Sequence, residues 1–220
     1  MSTQETQYVY AGYHKSSPGY VDQISPSTMG LVKTYTPATG RNDEYGLVYD
    51  GKYVYAGYST SPGIVDQISP STMTVVKSFT APTAHSSVYA LTYDGKYIYA
   101  GYCMSPGVVD QISPSTMSLV KSFTAPTGHN KVFALTYDGK YIYAGYNVAP
   151  GIVDQISPST MSLVKSFTSP SGNLYVQALT YDGKYIYAGY VMSPGVVDQI
   201  SPSTMTLVKS FTAPSGHNDV

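Results

Sequence analysis

Apolar and aromatic residues run along this chain in short bursts of five to seven, each broken by glycine, proline or serine. Between residues 88 and 131 the bursts are Val88-Tyr-Ala-Leu-Thr-Tyr93, Tyr97-Ile-Tyr-Ala-Gly-Tyr102, Val108-Val-Asp-Gln-Ile112 and Met117-Ser-Leu-Val-Lys-Ser-Phe123. They are rich in Tyr, Val, Ile, Thr and Phe, the residues that fit a pleated sheet. Asp94-Gly95, Ser105-Pro106-Gly107, Ser113-Pro114-Ser115-Thr116 and Ala125-Pro126 end them, so turn chemistry recurs about every 11 residues. Asp94-Gly95 predicts a tight hairpin with both turn residues at positive φ. Tyr97, Ile98 and Tyr99 are consecutive, which leaves that strand no polar face and predicts cover on both sides. No segment has helical spacing. The pattern predicts an all-β protein.

The same pattern returns five times. Asp-Gln-Ile-Ser-Pro-Ser-Thr-Met begins at Asp22, Asp66, Asp110, Asp154 and Asp198, an interval of 44 residues, so residues 1–220 read as one domain of five repeats. One extra residue, between Tyr13 and Pro18, is the single shift in register. Four strands per repeat suit a propeller blade, a solenoid coil or a jelly-roll-like sandwich. A solenoid needs atypical polar end repeats, and here the end repeats resemble the middle ones. A closed ring needs no caps. The expected fold is a five-bladed β-propeller with four antiparallel strands per blade. Tyr8–Tyr13 matches the second strand of the unit, and Gly216–Val220 matches Gly128–Val132. Met1–Gln4 then fall opposite Ala134–Tyr137, so the termini are expected to meet inside one blade, with Met1–Gln4 beside Val220.

Asp94-Gly-Lys-Tyr-Ile-Tyr99, Gly107-Val-Val-Asp110 and Leu119-Val-Lys121 together resemble the YVTN-type β-propeller repeat, a relative of NHL and WD40 repeats. Tyr97-Ile-Tyr-Ala-Gly-Tyr102 stands where the Tyr-Val-Thr-Asn string would be. The resemblance implies blade architecture and, because such repeats occur in bacterial and archaeal surface proteins, a location on a cell or particle surface. Five near-identical blades also look like the tachylectin-type sugar-binding propellers.

Composition narrows the function. Charged residues make up 11% of the chain, against roughly 25% in ordinary soluble domains. Twelve basic and thirteen acidic residues leave a net charge of −1, with no overall pull toward nucleic acid or anionic membrane. The lone Cys103 excludes an internal disulfide and a cysteine-rich zinc site. No apolar run reaches the roughly 18 residues of a membrane span, and Met1–Gln7 has neither the basic nor the apolar region of a signal peptide.

Several residues could carry chemistry. Asp22, Asp66, Asp110, Asp154 and Asp198 sit between aliphatic neighbours; as structural groups they need partners, and folding the third strand onto the fourth brings Asp110 near Val120 or Lys121. Asp50, Asp94, Asp138 and Asp182 read as hairpin residues. Most of the 24 tyrosines recur at fixed strand positions and read as core. The repeats differ mainly in the loop between strands two and three and in the linker to the next blade, and a meander places both on one face. Around the ring the linkers present Arg41, His85, His129, Asn173 and His217, followed in three of them by Asn42, Asn130 and Asn218. With Tyr102 and Tyr146 at nearby strand ends, these residues form the candidate ligand site: hydrogen-bonding loops beside a stacking surface. No catalytic constellation accompanies them, and no cofactor or metal is expected; three of the histidines could share a metal only if the loops fold inward. The reading is a non-enzymatic binding or adhesion module that takes glycans, or a protein surface, through the variable loops. A scaffold without a small ligand is the alternative, and a propeller hydrolase or lyase the third.

Overall fold

Nineteen strands arrange the described residues, 7–170 and 172–220 of a computed structural model, in five antiparallel sheets with no helix among them. The first sheet holds three strands, β1 (Val9–Gly12), β2 (Val21–Ile24) and β3 (Leu31–Tyr35). The second holds β4 (Glu44–Tyr49), β5 (Val54–Tyr58), β6 (Ile64–Ser69) and β7 (Thr74–Thr80). The third is β8 (Val88–Tyr93), β9 (Ile98–Tyr102), β10 (Val108–Ser113) and β11 (Ser118–Thr124). The fourth is β12 (Val132–Tyr137), β13 (Ile142–Tyr146), β14 (Ile152–Ser157) and β15 (Ser162–Thr168). The fifth is β16 (Val176–Tyr181), β17 (Ile186–Tyr190), β18 (Val196–Ser201) and β19 (Thr206–Thr212). Each sheet is a meander in chain order. The leading strands β4, β8, β12 and β16 lie side by side while the outer strands do not meet, which is blade geometry. Among the described residues the first blade has three strands rather than the four expected, and the expected place of Met1–Gln4 lies outside them.

Two local features depart from the sequence reading. Tyr93 pairs with Ile98, so the Asp-Gly hairpin carries four loop residues, and of its first two only Gly95, at φ 93°, is left-handed. The Asp94 carboxylate accepts the Lys96 and Tyr97 amides, both at 2.7 Å, and closes the wider turn that a two-residue loop would have closed by backbone alone. In the hairpin of β10 and β11, Ile112 faces Leu119 while Gln111 faces Lys121. Val120 is therefore the extra residue of a β-bulge, and Asp110 lies opposite Ser122 instead of Val120 or Lys121.

Blades pack through a socket. Gly101 and Gly145, on the second strands, have no side chain because the next blade fills that space: an added methyl would lie 2.5 Å from Val132 or Val176. Gly57 receives Val88 in the same way and Gly12 receives Glu44. Around Val88, Val132 and Val176 a tyrosine, a phenylalanine and small strand residues close the core, as Tyr99, Phe123 and Ala125 do around Val132; at the first junction Tyr35 stands where the phenylalanine would be.

Polar ties stitch the outer parts. Gln111 spends one amide proton on Tyr99 Oη (2.8 Å) and the other on the Pro158 carbonyl of the next blade (2.9 Å). Gln23, Gln67 and Gln155 repeat the tie to Pro70, Pro114 and Pro202.

The fifth blade differs on its far side. Phe211 is 60% exposed, whereas Phe79, Phe123 and Phe167 are buried. Gln199 keeps its bond to Tyr187 at 2.8 Å, and among the described residues it reaches no next proline. Yet Val220 already occupies the Gly189 socket, and its amide donates to Tyr190 O at 3.1 Å as Glu44 donates to Tyr13 O at 3.2 Å.

Gly101→Val should overfill a socket at a cost of about 1–3 kcal/mol. At this size that lowers the melting temperature by roughly 2–4 °C per kcal/mol. Thermal unfolding of the variant measures it, and an unchanged melting temperature would show the socket to be loose.

Candidate functional site

The variable loops do share one side of the sheets, because linker and strand loop are hydrogen-bonded to each other. Ser87 N donates to Thr60 O, and Lys131 N to Met104 O, each at 2.8 Å. Asp43, Tyr175 and Asp219 make the same bond to Ser16, Val148 and Met192.

The residues expected to face a ligand there are mostly spent on the protein itself. His85 Nδ1 lies 2.9 Å from Asp110 Oδ2, and His129 Nδ1 2.9 Å from Asp154 Oδ2. Asn173 donates to Asp198 at 3.1 Å. Arg41 Nε sits 2.7 Å from Asp66 Oδ2, an ion pair whose N–H is not aligned with the contact. Each linker thus reaches the strand aspartate of the following blade. Asp66, Asp110, Asp154 and Asp198 are fully buried, and a buried carboxylate must find donors. Ser122 supplies the second to Asp110 at 2.6 Å, and Ser166 to Asp154 at 2.6 Å. The aspartates are hydrogen-bonded structural groups, with serine and the linker side chain as partners where lysine was expected. The serine donates to the carboxylate and not to the imidazole, so the trio cannot pass a serine proton to histidine as a nucleophilic triad does.

His217 stands at the same position but is exposed, while Asp22 is held by Tyr13 Oη at 2.8 Å and Thr34 Oγ1 at 2.6 Å. Asn42 accepts from Ser17 at 2.7 Å and Asn218 from Ser193 at 2.8 Å, both on the surface; Asn130 is half-buried. Tyr102 and Tyr146 offer no stacking surface, which corrects the sequence expectation. Both are fully buried under the imidazoles of His85 and His129, with ring centres 5.2 and 5.4 Å apart. Burial, then the adjacent Asp110 and Asp154, hold their hydroxyl pKa values well above 10. Among the described residues no three His, Cys, Asp or Glu side chains cluster to hold a metal ion.

Sequence reasoning missed two features of this region. Tyr45, Tyr89 and Phe133, each second on a leading strand, form an aromatic row, with ring centres 4.3 and 5.1 Å apart. The signal was variation, since this position reads Tyr, Tyr, Phe, Gln while its neighbours hardly change. Glu44 stands where the other repeats have Val88, Val132, Val176 and Val220. Its carboxyl fills the Gly12 socket, Oε1 has no hydrogen-bond partner, and burial pushes its pKa from 4.5 to about 8.

The open clefts lie on the other face, between the turns that never vary. One of 460 Å³ separates the second and third blades and is lined by Lys52, Tyr53, Gln67, Tyr97, Pro114 and Ser115 among others. One of 580 Å³ lies between the first and second, lined by the corresponding Tyr8, Gln23, Tyr53, Pro70 and Ser71 and by Lys33 of the last strand. The Nζ of Lys52, Lys96, Lys140 and Lys184 lies 4.7–4.9 Å from the ring centre of the tyrosine that follows it. Lys33, Lys77, Lys121 and Lys165 lay their ammonium groups on the serine carbonyls Ser71, Ser115, Ser159 and Ser203 of the next blade's turn. The signal for these clefts was the strict 44-residue recurrence of both lysines.

No family model matches this chain, and neither does any curated protein. It is similar in structure to hydrazine synthase from Kuenenia stuttgartiensis, with a TM-score of 0.74 at 16% identity over 91% of this chain. This chain spans 62% of that one. The likeness is one of fold, a propeller-like stack of blades.

The proton on Glu44 predicts a pH slope. Below about pH 4.5 the carboxyl is neutral in both folded and unfolded chains. As pH rises toward 8 the unfolded chain ionises while the folded chain keeps its proton, so stability falls by something of order 3–5 kcal/mol. Glu44→Val, which copies the other junctions, should remove the slope. Denaturant midpoints at pH 5 and 8.5 for both proteins test this, and parallel behaviour of the two would remove Glu44 as the cause.

Proposed function

We propose that the protein is a closed five-bladed ring, built on YVTN-like repeats, that works as a non-enzymatic, multivalent binding or adhesion module for glycans. The observation that carries the reading is the cleft chemistry repeated at successive blade junctions: a tyrosine ring, a lysine, a glutamine and paired serine hydroxyls. Ser113 and Ser115 Oγ are 3.0 Å apart, Ser69 and Ser71 Oγ 2.9 Å. Sugars need an apolar face to lie on and several hydrogen-bonding groups around it. Recurring clefts of like chemistry suit recognition of a repeated epitope, whereas catalysis needs residues in unlike roles. Closure of the ring is supported by Val220, which sits in the socket where the next leading strand begins.

The site therefore moves from the variable loops, whose side chains tie blade to blade, to the face of constant turns. The aromatic row Tyr45–Tyr89–Phe133 favours the variable-loop face as the second reading. Single clefts should bind at around millimolar, roughly 4 kcal/mol. Several engaged together raise apparent affinity by about 10²–10⁴.

An array of neutral and acidic oligosaccharides, followed by calorimetry on the hits, tests the reading. Tyr97→Ala with Tyr141→Ala should abolish binding in protein that still melts cooperatively, and Asn42→Ala with Asn130→Ala should leave it unchanged. The opposite result would place the site on the variable loops. An array with no hit would overturn the glycan reading.

A further inference from the structure

The net charge of −1 hides a strong separation of charge. Four lysines belong to the Asp-Gly-Lys turns and five more, Lys33, Lys77, Lys121, Lys165 and Lys209, to the last strands of the blades, so nine of the twelve basic residues belong to the constant-turn side, with Lys33, Lys52 and Lys96 lining its two clefts. All nine side chains are exposed. Only four of the thirteen acids, Asp50, Asp94, Asp138 and Asp182, share those turns. Their carboxylates are engaged within the turns, although Asp50 also lines the cleft between the second and third blades: Asp94 accepts the Lys96 and Tyr97 amides at 2.7 Å and the Tyr99 hydroxyl at 2.7 Å, and the other three repeat this set. The remaining acids of the described chain stand in the buried aspartate positions or the linkers of the opposite side. One side of the ring is basic and the other acidic.

Resting on the glycan reading above, we propose that the ligand is an acidic saccharide, a chain bearing carboxylate or sulfate groups at regular intervals, held across successive clefts of the constant-turn face. Each turn lysine lies over a tyrosine ring, and the cleft between the second and third blades brings Lys52, Lys96, Tyr97, Ser113 and Ser115 into one lining, so it offers a counter-charge, an aromatic ring and hydroxyl partners together. Four strand lysines already tie blade to blade, but a neutral sugar would use the ring and the hydroxyls and make no use of the charge on the turn lysines Lys52, Lys96, Lys140 and Lys184. Single-stranded nucleic acid is the other polyanion that aromatic rings beside lysines could hold, and it enters the test as the competing outcome. Because the acidic side cancels the field at distance, the attraction acts within about a Debye length, roughly 8–10 Å.

The test uses the full chain with four probes: heparin for sulfate, polygalacturonate for carboxylate, dextran as the neutral chain and a single-stranded DNA 12-mer. Binding is measured by calorimetry at 50 and 300 mM NaCl. Heparin, polygalacturonate or both should bind, the pair telling sulfate from carboxylate, and affinity should fall about tenfold or more at the higher salt. Lys96→Gln with Lys140→Gln should weaken binding about threefold to tenfold, while Lys15→Gln with Lys131→Gln on the opposite face should leave it unchanged. Dextran bound as tightly as the acidic chains, without salt dependence, would overturn the acidic ligand and leave the glycan reading standing. Binding of the DNA alone would overturn both, and so would silence with every probe.

Discussion

Every blade junction is organised by a missing side chain. The second strand of each blade carries a glycine, and the first residue of the following leading strand enters the space above it. Close packing leaves no slack there, since interiors are as dense as organic crystals. The knob sets how near the next blade can come, and that distance decides whether Gln111 reaches Pro158 and His129 reaches Asp154. Apolar fit and polar ties are therefore one constraint. A buried aspartate that lost its linker partner would leave an uncompensated carboxylate, so the ties punish any blade that drifts from its socket.

Glu44 shows what happens when the knob is polar. It fits the Gly12 socket, yet its burial leaves an oxygen without a partner and keeps a proton on the group near neutral pH. The joint between the first and second blades is thus chemically unlike those that follow. Arg41 stands there in place of histidine, and Asp66 also accepts from Tyr35 Oη at 2.9 Å, so that junction has a richer polar network around a weaker apolar centre.

Much of the architecture was legible because turn chemistry is local. Residues 88–93 form the strand read from Val88-Tyr-Ala-Leu-Thr-Tyr93, and proline, glycine and serine mark the remaining ends to within a residue or two. What was not legible depends on three-dimensional register. No residue type announces the bulge at Val120, and that single insertion changed the partner of Asp110 from lysine to serine. Tyr102 reads equally well as a surface aromatic or a buried one until the next blade's imidazole is placed over it. The candidate site suffered in the same way. Variation pointed to the linkers, but Arg41, His85, His129 and Asn173 vary while all doing one job, holding an aspartate that does not change. Net charge is a sum without geometry, which is why the lysine-rich face had to wait for coordinates.

The inter-blade ties made by side chains run one way along the chain, while backbone amides such as Glu44 N and Ser87 N donate back to the blade before. Gln23, Gln67, Gln111 and Gln155 give to the proline ahead, and the linkers give to the aspartate ahead. Any run of whole repeats therefore has one end made of donors and one made of acceptors, like a strip of hook tape whose two ends are unlike. Gln199, Lys209 and His217 are the hooks at one end, and the Pro26 and Ser27 carbonyls with Asp22 are the loops at the other. Such a unit has no built-in starting point: a run of repeats cut at any linker presents the same pair of unlike ends, so the order in which the blades are encoded leaves the kind of side-chain tie between neighbours unchanged.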